Sequence, residues 1–266
     1  MNQLDKYLGL FEASGGTDAD YLRRHFSRFI ETKERLLSHW DRGQGNQLLD
    51  IGAHWLHQSL LYAIDGFEVT ALDLPTTFDL PNVRALADAH AIRLLTNADL
   101  EHPLALRALA DDSFDLVLFT EIIEHIAFNP VAMWREIYRV LKPGGRIVIT
   151  TPNYYALRGL LRHALRFLSG HGGGVDIRSI LREHTYAHHW KEYSRGELMG
   201  YFSELSADFI CMHSAHIEEY QKKEMWKIAG KIVLGIEHAI PALRPDLYME
   251  IELVHKDKGI VVEPHW

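Results

Sequence analysis

From residue 47 to residue 151 the chain alternates short apolar runs with stretches whose apolar residues recur at helical spacing. Runs at 47–51, 67–73, 92–97, 114–119 and 146–151 have the length and β-favouring composition of strands. Between them, 55–63, 82–90, 104–109 and 131–141 predict helices, and Lys142-Pro-Gly-Gly145 predicts a turn into the fifth strand. That rhythm forms βαβ units and therefore a parallel sheet covered by crossover helices. Upstream, residues 18–40 place Tyr21, Leu22, Phe26, Phe29, Ile30, Leu36 and Leu37 at helical spacing, which predicts one or two helices. Residues 1–17 are polar and glycine-containing and read as a loose lead-in.

After Thr151-Pro-Asn153 the pattern changes. Residues 154–168 predict an amphipathic helix, followed by the break Gly170-His-Gly-Gly-Gly174 and the stretch His184-Thr-Tyr-Ala-His188-His189-Trp190. Ser194-Arg-Gly-Glu197 is a capping box opening another helix. A sixth strand is expected at 207–216, a long helical insertion at 218–240, a last strand at 248–255 and a terminal hairpin through 257–262. The economical organisation is a single domain. A helical cap at 1–44 precedes a unit at 45–266 with insertions at about 154–195 and 218–241.

The chemistry concentrates in Asp115-Leu-Val-Leu-Phe-Thr-Glu121-Ile-Ile-Glu124-His125-Ile. An apolar strand that runs straight into polar residues delivers side chains to the carboxyl edge of an open α/β sheet, where such folds bind ligands. If Thr120 caps a helix, Glu121, Glu124 and His125 fall on one helical face. Asp50, Asp73 and Asp99 each end an earlier strand, and Gly52 follows the first, where backbone can approach a ligand. Taken singly, each aspartate also reads as a turn or cap residue.

Composition narrows the classes. Hydrophobic residues make up 47% and charged residues 24%, as in an ordinary globular protein. The net charge of −8 argues against a general nucleic-acid binder. No apolar run is long enough to span a membrane, and the N-terminus lacks a signal-peptide pattern. The single cysteine, Cys211, fits a reducing, cytoplasmic setting. Arg158, Arg162 and Arg166 recur every fourth residue, a stripe that reads as a solvated face or as a contact for an anionic substrate or surface. The helix expected through 222–240 combines Lys222, Lys223, Lys227 and Lys231 with Trp226, Ile232 and Ile236. It reads as a lid over the site, with weak membrane-surface contact as the alternative. Oligomeric state is not legible, and a homodimer is compatible with the sequence.

In order and spacing, Leu48-Leu-Asp50-Ile-Gly52, Asp73, Ala98-Asp99-Leu100, Phe114-Asp-Leu-Val-Leu-Phe and Leu141-Lys-Pro-Gly-Gly-Arg-Ile-Val-Ile-Thr-Thr-Pro-Asn153 resemble the class I S-adenosylmethionine (SAM)-dependent methyltransferases. The resemblance covers roughly residues 45–255. It implies a Rossmann-like, doubly wound, seven-stranded and mostly parallel sheet with an antiparallel last strand, plus N-terminal helices and a helical lid. It also implies SAM as cofactor, with Asp73 on the ribose, Asp99 on the adenine amino group and Leu100 against the base. Asp50, Gly52, Ala53, Leu74 and Thr120 complete that pocket. The chain departs from the family where His54 and Leu56 stand in place of two glycines, so the glycine-rich turn is expected to be lost.

Glu-x-x-Glu-His followed downstream by His resembles two subgroups, the ubiquinone-pathway O-methyltransferases and the small-RNA 3′-terminal 2′-O-methyltransferases. Both resemblances imply a divalent cation (Mg²⁺, Mn²⁺ or Zn²⁺) on Glu121, Glu124, His125 and His189, with His188 as the alternative fourth ligand. A metal-free site with His125 as base, oriented by the glutamates, stays open beside it. The expected reaction is methyl transfer to an oxygen of a small-molecule acceptor: a phenol, catechol or sugar hydroxyl. The alternatives are RNA 2′-O-methylation, N- or C-methylation of a natural-product intermediate, and SAM binding without catalysis.

Overall fold

A computed structural model describes residues 3–13, 19–170, 174–218 and 228–265. Helices α1 (Gln3–Ala13) and α2 (Ala19–His39) lead into β1 (Gln47–Ile51), α3 (His57–Ile64) and β2 (Glu68–Asp73). Short helices α4 (Pro75–Phe78) and α5 (Pro81–Ala89) precede β3 (Arg93–Thr96), and α6 (Leu104–Arg107) precedes β4 (Phe114–Thr120). Then come α7 (Val131–Val140), β5 (Leu141–Pro152), α8 (Leu157–Leu168), α9 (Ile177–Arg182) and α10 (Arg195–Leu205). Strand β6 (Phe209–Ile217), α11 (Ile228–Ala239) and β7 (Asp246–Leu253) complete the described chain.

The strands form one sheet in the order β3-β2-β1-β4-β5-β7-β6, parallel except for β7, which runs antiparallel to both β5 and β6. Every residue of β4 except Thr120 is buried, as expected of a central strand covered on both faces. One apolar cluster, with Leu48, Leu60 and Leu116, packs α1–α3 and α5 on one face. A second, with Val117, Trp134 and Phe202, packs α7 and α10 on the other. Strand order reverses between β1 and β4, which makes the carboxyl edge there the switch point of the sheet. The Ser194–Glu197 capping box forms as expected.

Three expectations change. The lead-in is a helix, because Tyr7 and Phe11 of α1 bury their rings against the core. Thr120 caps no helix: Glu121 takes a left-handed φ of 56°, and only a short 3₁₀ turn, Ile123–His125, follows. Glu121 therefore does not share a helical face with Glu124 and His125. Residues 260–262 form no strand; the Val261 N–H donates to the Leu205 carbonyl instead (2.9 Å). Of the long insertion, α11 is helical, whereas Lys222, Lys223, Trp226 and Lys227 lie outside the described residues.

Candidate active site

A cavity of about 550 Å³ opens at the switch point, within the range of roughly 300–1,000 Å³ usual for small-ligand sites. Asp50, Gly52, Ala53, Asp73, Leu74, Asp99, Leu100 and Thr120 all line it. At its floor Gly52 has φ 77°, and a Cβ there would lie 2.0 Å from Ile122 Cδ1. Only glycine fits. The two non-glycine positions that follow keep the turn rather than lose it: His54 has φ 49° and Leu56 has φ 63°. The expectation that the glycine-rich turn is lost is thus corrected, because its left-handed backbone persists with side chains attached. Such a conformation costs an L-residue about 1–2 kcal/mol. Burial of Leu56 and the packing of the His54 ring on Trp55, 3.8 Å between centroids, offset it.

Asp73, at the tip of β2, accepts from the His54 N–H (2.6 Å) and the Leu74 N–H (2.6 Å), so it holds the two loops together while facing the cavity. Asp50 is fully buried and accepts from Ser59 Oγ (2.5 Å). Burial, seconded by the charge of Asp73, pushes its carboxyl up to about 7. Beyond β3, Asn97 fixes the loop by accepting from the Ala105 N–H (3.0 Å) and donating to the Asp99 carbonyl. Asp99 accepts from the His102 N–H (2.6 Å) and keeps a half-exposed carboxylate on the wall.

Helix α2 forms one wall of the cavity. Tyr21, Arg28 and Phe29 of α2 line it, as do Thr185 and Tyr186 of the segment after α9. No described residue of α11 does, and residues 222–227 of the helix expected as a lid lie outside the described residues. Arg28 is buried, with Nη1 3.0 Å from Glu121 Oε2. The sequence reading assigned no role to Arg28, although it lies seven residues after Tyr21 and so falls on the apolar face of α2. A charge placed on a buried face is the signal that could have found it.

Glu121 and His125 line the cavity, whereas Glu124 lies beneath its wall with no exposure. Thr151 Oγ1 donates to Glu124 Oε2 (2.9 Å), while Glu124 Oε1 is buried without a hydrogen-bond partner. Burial, reinforced by the negative charge of Glu121, raises the Glu124 carboxyl well above the usual range. His125 Nδ1 lies 3.1 Å from the His188 carbonyl, which fixes Nδ1 as the donor and leaves the Nε2 lone pair 3.8 Å from Glu124 Oε1. Burial, then proximity to His189, lowers its pKa to about 4.

The Trp190 N–H donates to the Glu124 carbonyl (2.7 Å), tying the downstream histidines over β4. His189 packs edge-on to His125, 4.8 Å between ring centroids. His188 contributes its carbonyl; its ring is buried near Glu183. Ligand atoms of Glu124, His125 and His189 lie within 4.8 Å of one another. Glu121 stands outside that trio and pairs with Arg28.

A family model described as a methyltransferase domain matches residues 49–149. The ubiquinone biosynthesis O-methyltransferase of Xanthomonas oryzae pv. oryzae is 30% identical over 195 residues, covering 73% of this chain and 74% of that protein. The chain belongs to the class I SAM-dependent methyltransferases. Phosphoethanolamine N-methyltransferase 3 of Arabidopsis thaliana is 28% identical to this methyltransferase over 122 residues, 46% of the chain but 24% of the plant protein. The methyltransferase solved in complex with the Haloferax volcanii Trm112 methyltransferase activator has the same fold, with a TM-score of 0.60 at 17% identity. It covers 96% of this chain and 99% of that one. The matched domain runs from β1 to β5, so Arg28 and the histidine segment lie outside the part of the methyltransferase that the family model describes.

Proposed function

We propose that this methyltransferase moves the methyl group of SAM to an oxygen of a small-molecule acceptor, a phenol, catechol or sugar hydroxyl. The observation that carries the reading is His125 on the cavity wall, with Nδ1 on the His188 carbonyl and its Nε2 lone pair left available. A hydroxyl is a weak nucleophile until it loses its proton. In the in-line displacement the sulfur–methyl bond breaks, the oxygen–methyl bond forms and the hydroxyl proton passes to Nε2. The lowered pKa keeps that nitrogen unprotonated at neutral pH. On the cofactor side Asp73 takes the ribose hydroxyls and Asp99 the adenine amino group, with Leu100 against the base. Gly52 and Ala53 lie under the methionine portion, and Asp50, Leu74 and Thr120 complete the wall.

A small acceptor is favoured over RNA because apolar Phe29, Ile126 and Phe128 line the cavity, and Arg28, the cation beside Glu121, is buried and paired. A second reading adds a divalent cation, Mg²⁺, Mn²⁺ or Zn²⁺, held by Glu124, His125 and His189. The orphaned, buried Glu124 Oε1 favours it, as do the mixed oxygen and nitrogen donors. Such a cation would supply positive charge that favours a deprotonated acceptor oxygen.

The test is release of S-adenosylhomocysteine with phenols, catechols and sugars, run beside amines and RNA oligonucleotides. Turnover with a hydroxyl acceptor that falls by roughly 10²-fold or more in His125→Ala supports the proposal. Turnover confined to amines or RNA contradicts it. Loss with chelator and recovery on adding metal would support the cation, and indifference to chelator would remove it.

A further inference from the structure

Away from the cavity, the end of α2 meets the last two strands of the sheet. Pairing sets His213 of β6 directly opposite Glu250 of β7, and residues so placed project from the same face. His39, the last residue of α2, brings Nδ1 to 3.0 Å from Glu250 Oε1. The rings of His39 and His213 stack, 3.6 Å between centroids with 9° between their planes. Ligand atoms of all three residues lie within 4.8 Å of one another. None of the three lines the active-site cavity.

We propose that His39, His213 and Glu250 form a second metal site, for a transition-metal ion of the Zn²⁺ kind. Donor chemistry selects the ion. Two imidazoles and one carboxylate suit Zn²⁺, whereas Mg²⁺ and Ca²⁺ favour oxygen ligands throughout. The carboxylate is held as a ligand needs to be held. Glu250 is fully buried, Tyr248 Oη donates to its Oε1 (2.7 Å) and Arg146 Nη1 donates to its Oε2 (2.8 Å). Hydrogen bonds of this kind orient a metal-ligating carboxylate. Arg146 also donates to Glu252 (3.2 Å) and to the His39 carbonyl (3.1 Å). Two carboxylates thus share one guanidinium, and the cluster keeps negative charge for a cation. Ligand atoms about 2.0–2.2 Å from one zinc ion lie roughly 3.3–3.6 Å apart, and two parallel rings cannot aim their in-plane lone pairs at one point. One ring must therefore turn on binding. His39 has room to do so, since its side chain is 37% exposed at a helix end. Water reaches that side and completes the coordination. An ion held there would pin the end of α2 to β6 and β7. The same helix carries Tyr21, Arg28 and Phe29 to the cavity wall, so the site is placed to steady the cap. The proposal is independent of the acceptor chemistry.

The test is calorimetric titration of ZnCl₂ into metal-free, untagged full-length protein carrying His125→Ala and His189→Ala, which removes the histidines of the active-site trio. One Zn²⁺ should bind per chain and raise the thermal unfolding midpoint. Adding His39→Ala or His213→Ala should each weaken binding by at least about tenfold and remove that rise. Both side chains are partly exposed, so the midpoints measured in chelator should stay near that of the parent. Co²⁺ in place of Zn²⁺ should show the visible absorption of a four-coordinate ion, lost in His213→Ala. No binding in the His125 and His189 background overturns the proposal. Binding equally tight after both further substitutions also overturns it, leaving an adventitious ion only.

Discussion

Arg28 Nη1 lies 3.0 Å from Glu121 Oε2, and this contact joins the helical cap to the residue that ends the central strand. Both side chains are largely buried, so their pairing offsets part of the cost of burying the two charges. The pair also explains how Glu121 is held at φ 56°, a conformation that persists only where surroundings over-determine it. Arg28→Met should destabilise the protein by about 3–5 kcal/mol, because it strands a buried carboxylate. Glu121→Gln in the same background should recover part of the loss. Denaturant unfolding of the two single variants and the double variant measures the coupling; strictly additive losses would contradict the pairing.

The turn after β1 predicts an unequal response to small changes. Gly52→Ala puts a methyl against Ile122 Cδ1 at a left-handed position, and should cost about 2 kcal/mol or more together with most SAM affinity. His54→Gly relaxes the backbone while losing the ring contact with Trp55, and should change stability by less than about 1 kcal/mol. Leu56→Gly loses a fully buried side chain and should cost several times more than the backbone strain it relieves, roughly 2–5 kcal/mol. Thermal unfolding and SAM calorimetry on the three variants check the order.

Asp73 is proposed to meet the ribose. Asp73→Ala should weaken SAM binding by roughly 1.5–3 kcal/mol, the range for a hydrogen bond to a charged group. Part of the loss would come from the His54 and Leu74 N–H groups it leaves unpartnered. Asp73→Asn, which keeps an acceptor, should lose less. Calorimetric titration separates the two variants.

Asp50 predicts a pH dependence of stability. Its folded pKa is raised to about 7 from an ordinary 3.8, so between these values the folded state binds the proton that the unfolded state has lost. Stability in this group's account is therefore full below about pH 4 and falls as pH rises through 7. The fall is up to about 4 kcal/mol, at 1.36 kcal/mol per unit. His125 acts oppositely: its pKa of about 4 lies below the ordinary 6.5, so its contribution rises with pH across that interval. Asp50→Asn isolates the first effect. Relative to the parent, the cofactor-free variant should gain stability between pH 5 and pH 8, and a constant difference would contradict the buried neutral acid.

How much of this was legible in the sequence follows from which interactions are local. The strand–helix alternation, Gly52 and the strand-end aspartates could be read because each depends on periodicity or on a residue type at a strand tip. The left-handed φ of His54 and Leu56 could not, since composition alone argues against that conformation and only tertiary packing sustains it. Arg28 was hidden for a different reason: its partner is distant in the chain, and helical spacing shows which face a residue occupies but not what the face covers. The helical face supposed for Glu121, Glu124 and His125 failed because the chain reverses sharply at Glu121 before its 3₁₀ turn.

The central claim is methyl transfer to oxygen at the His125 wall. Its most direct test is to supply SAM carrying a ¹³C methyl group with the acceptor that the turnover screen identifies, and to read the product carbon by NMR. The account predicts a methoxy carbon, formed in equal amount to S-adenosylhomocysteine and strongly diminished in His125→Ala. A methyl carbon bound to nitrogen or carbon, or a methoxy product formed equally well by His125→Ala, would contradict it.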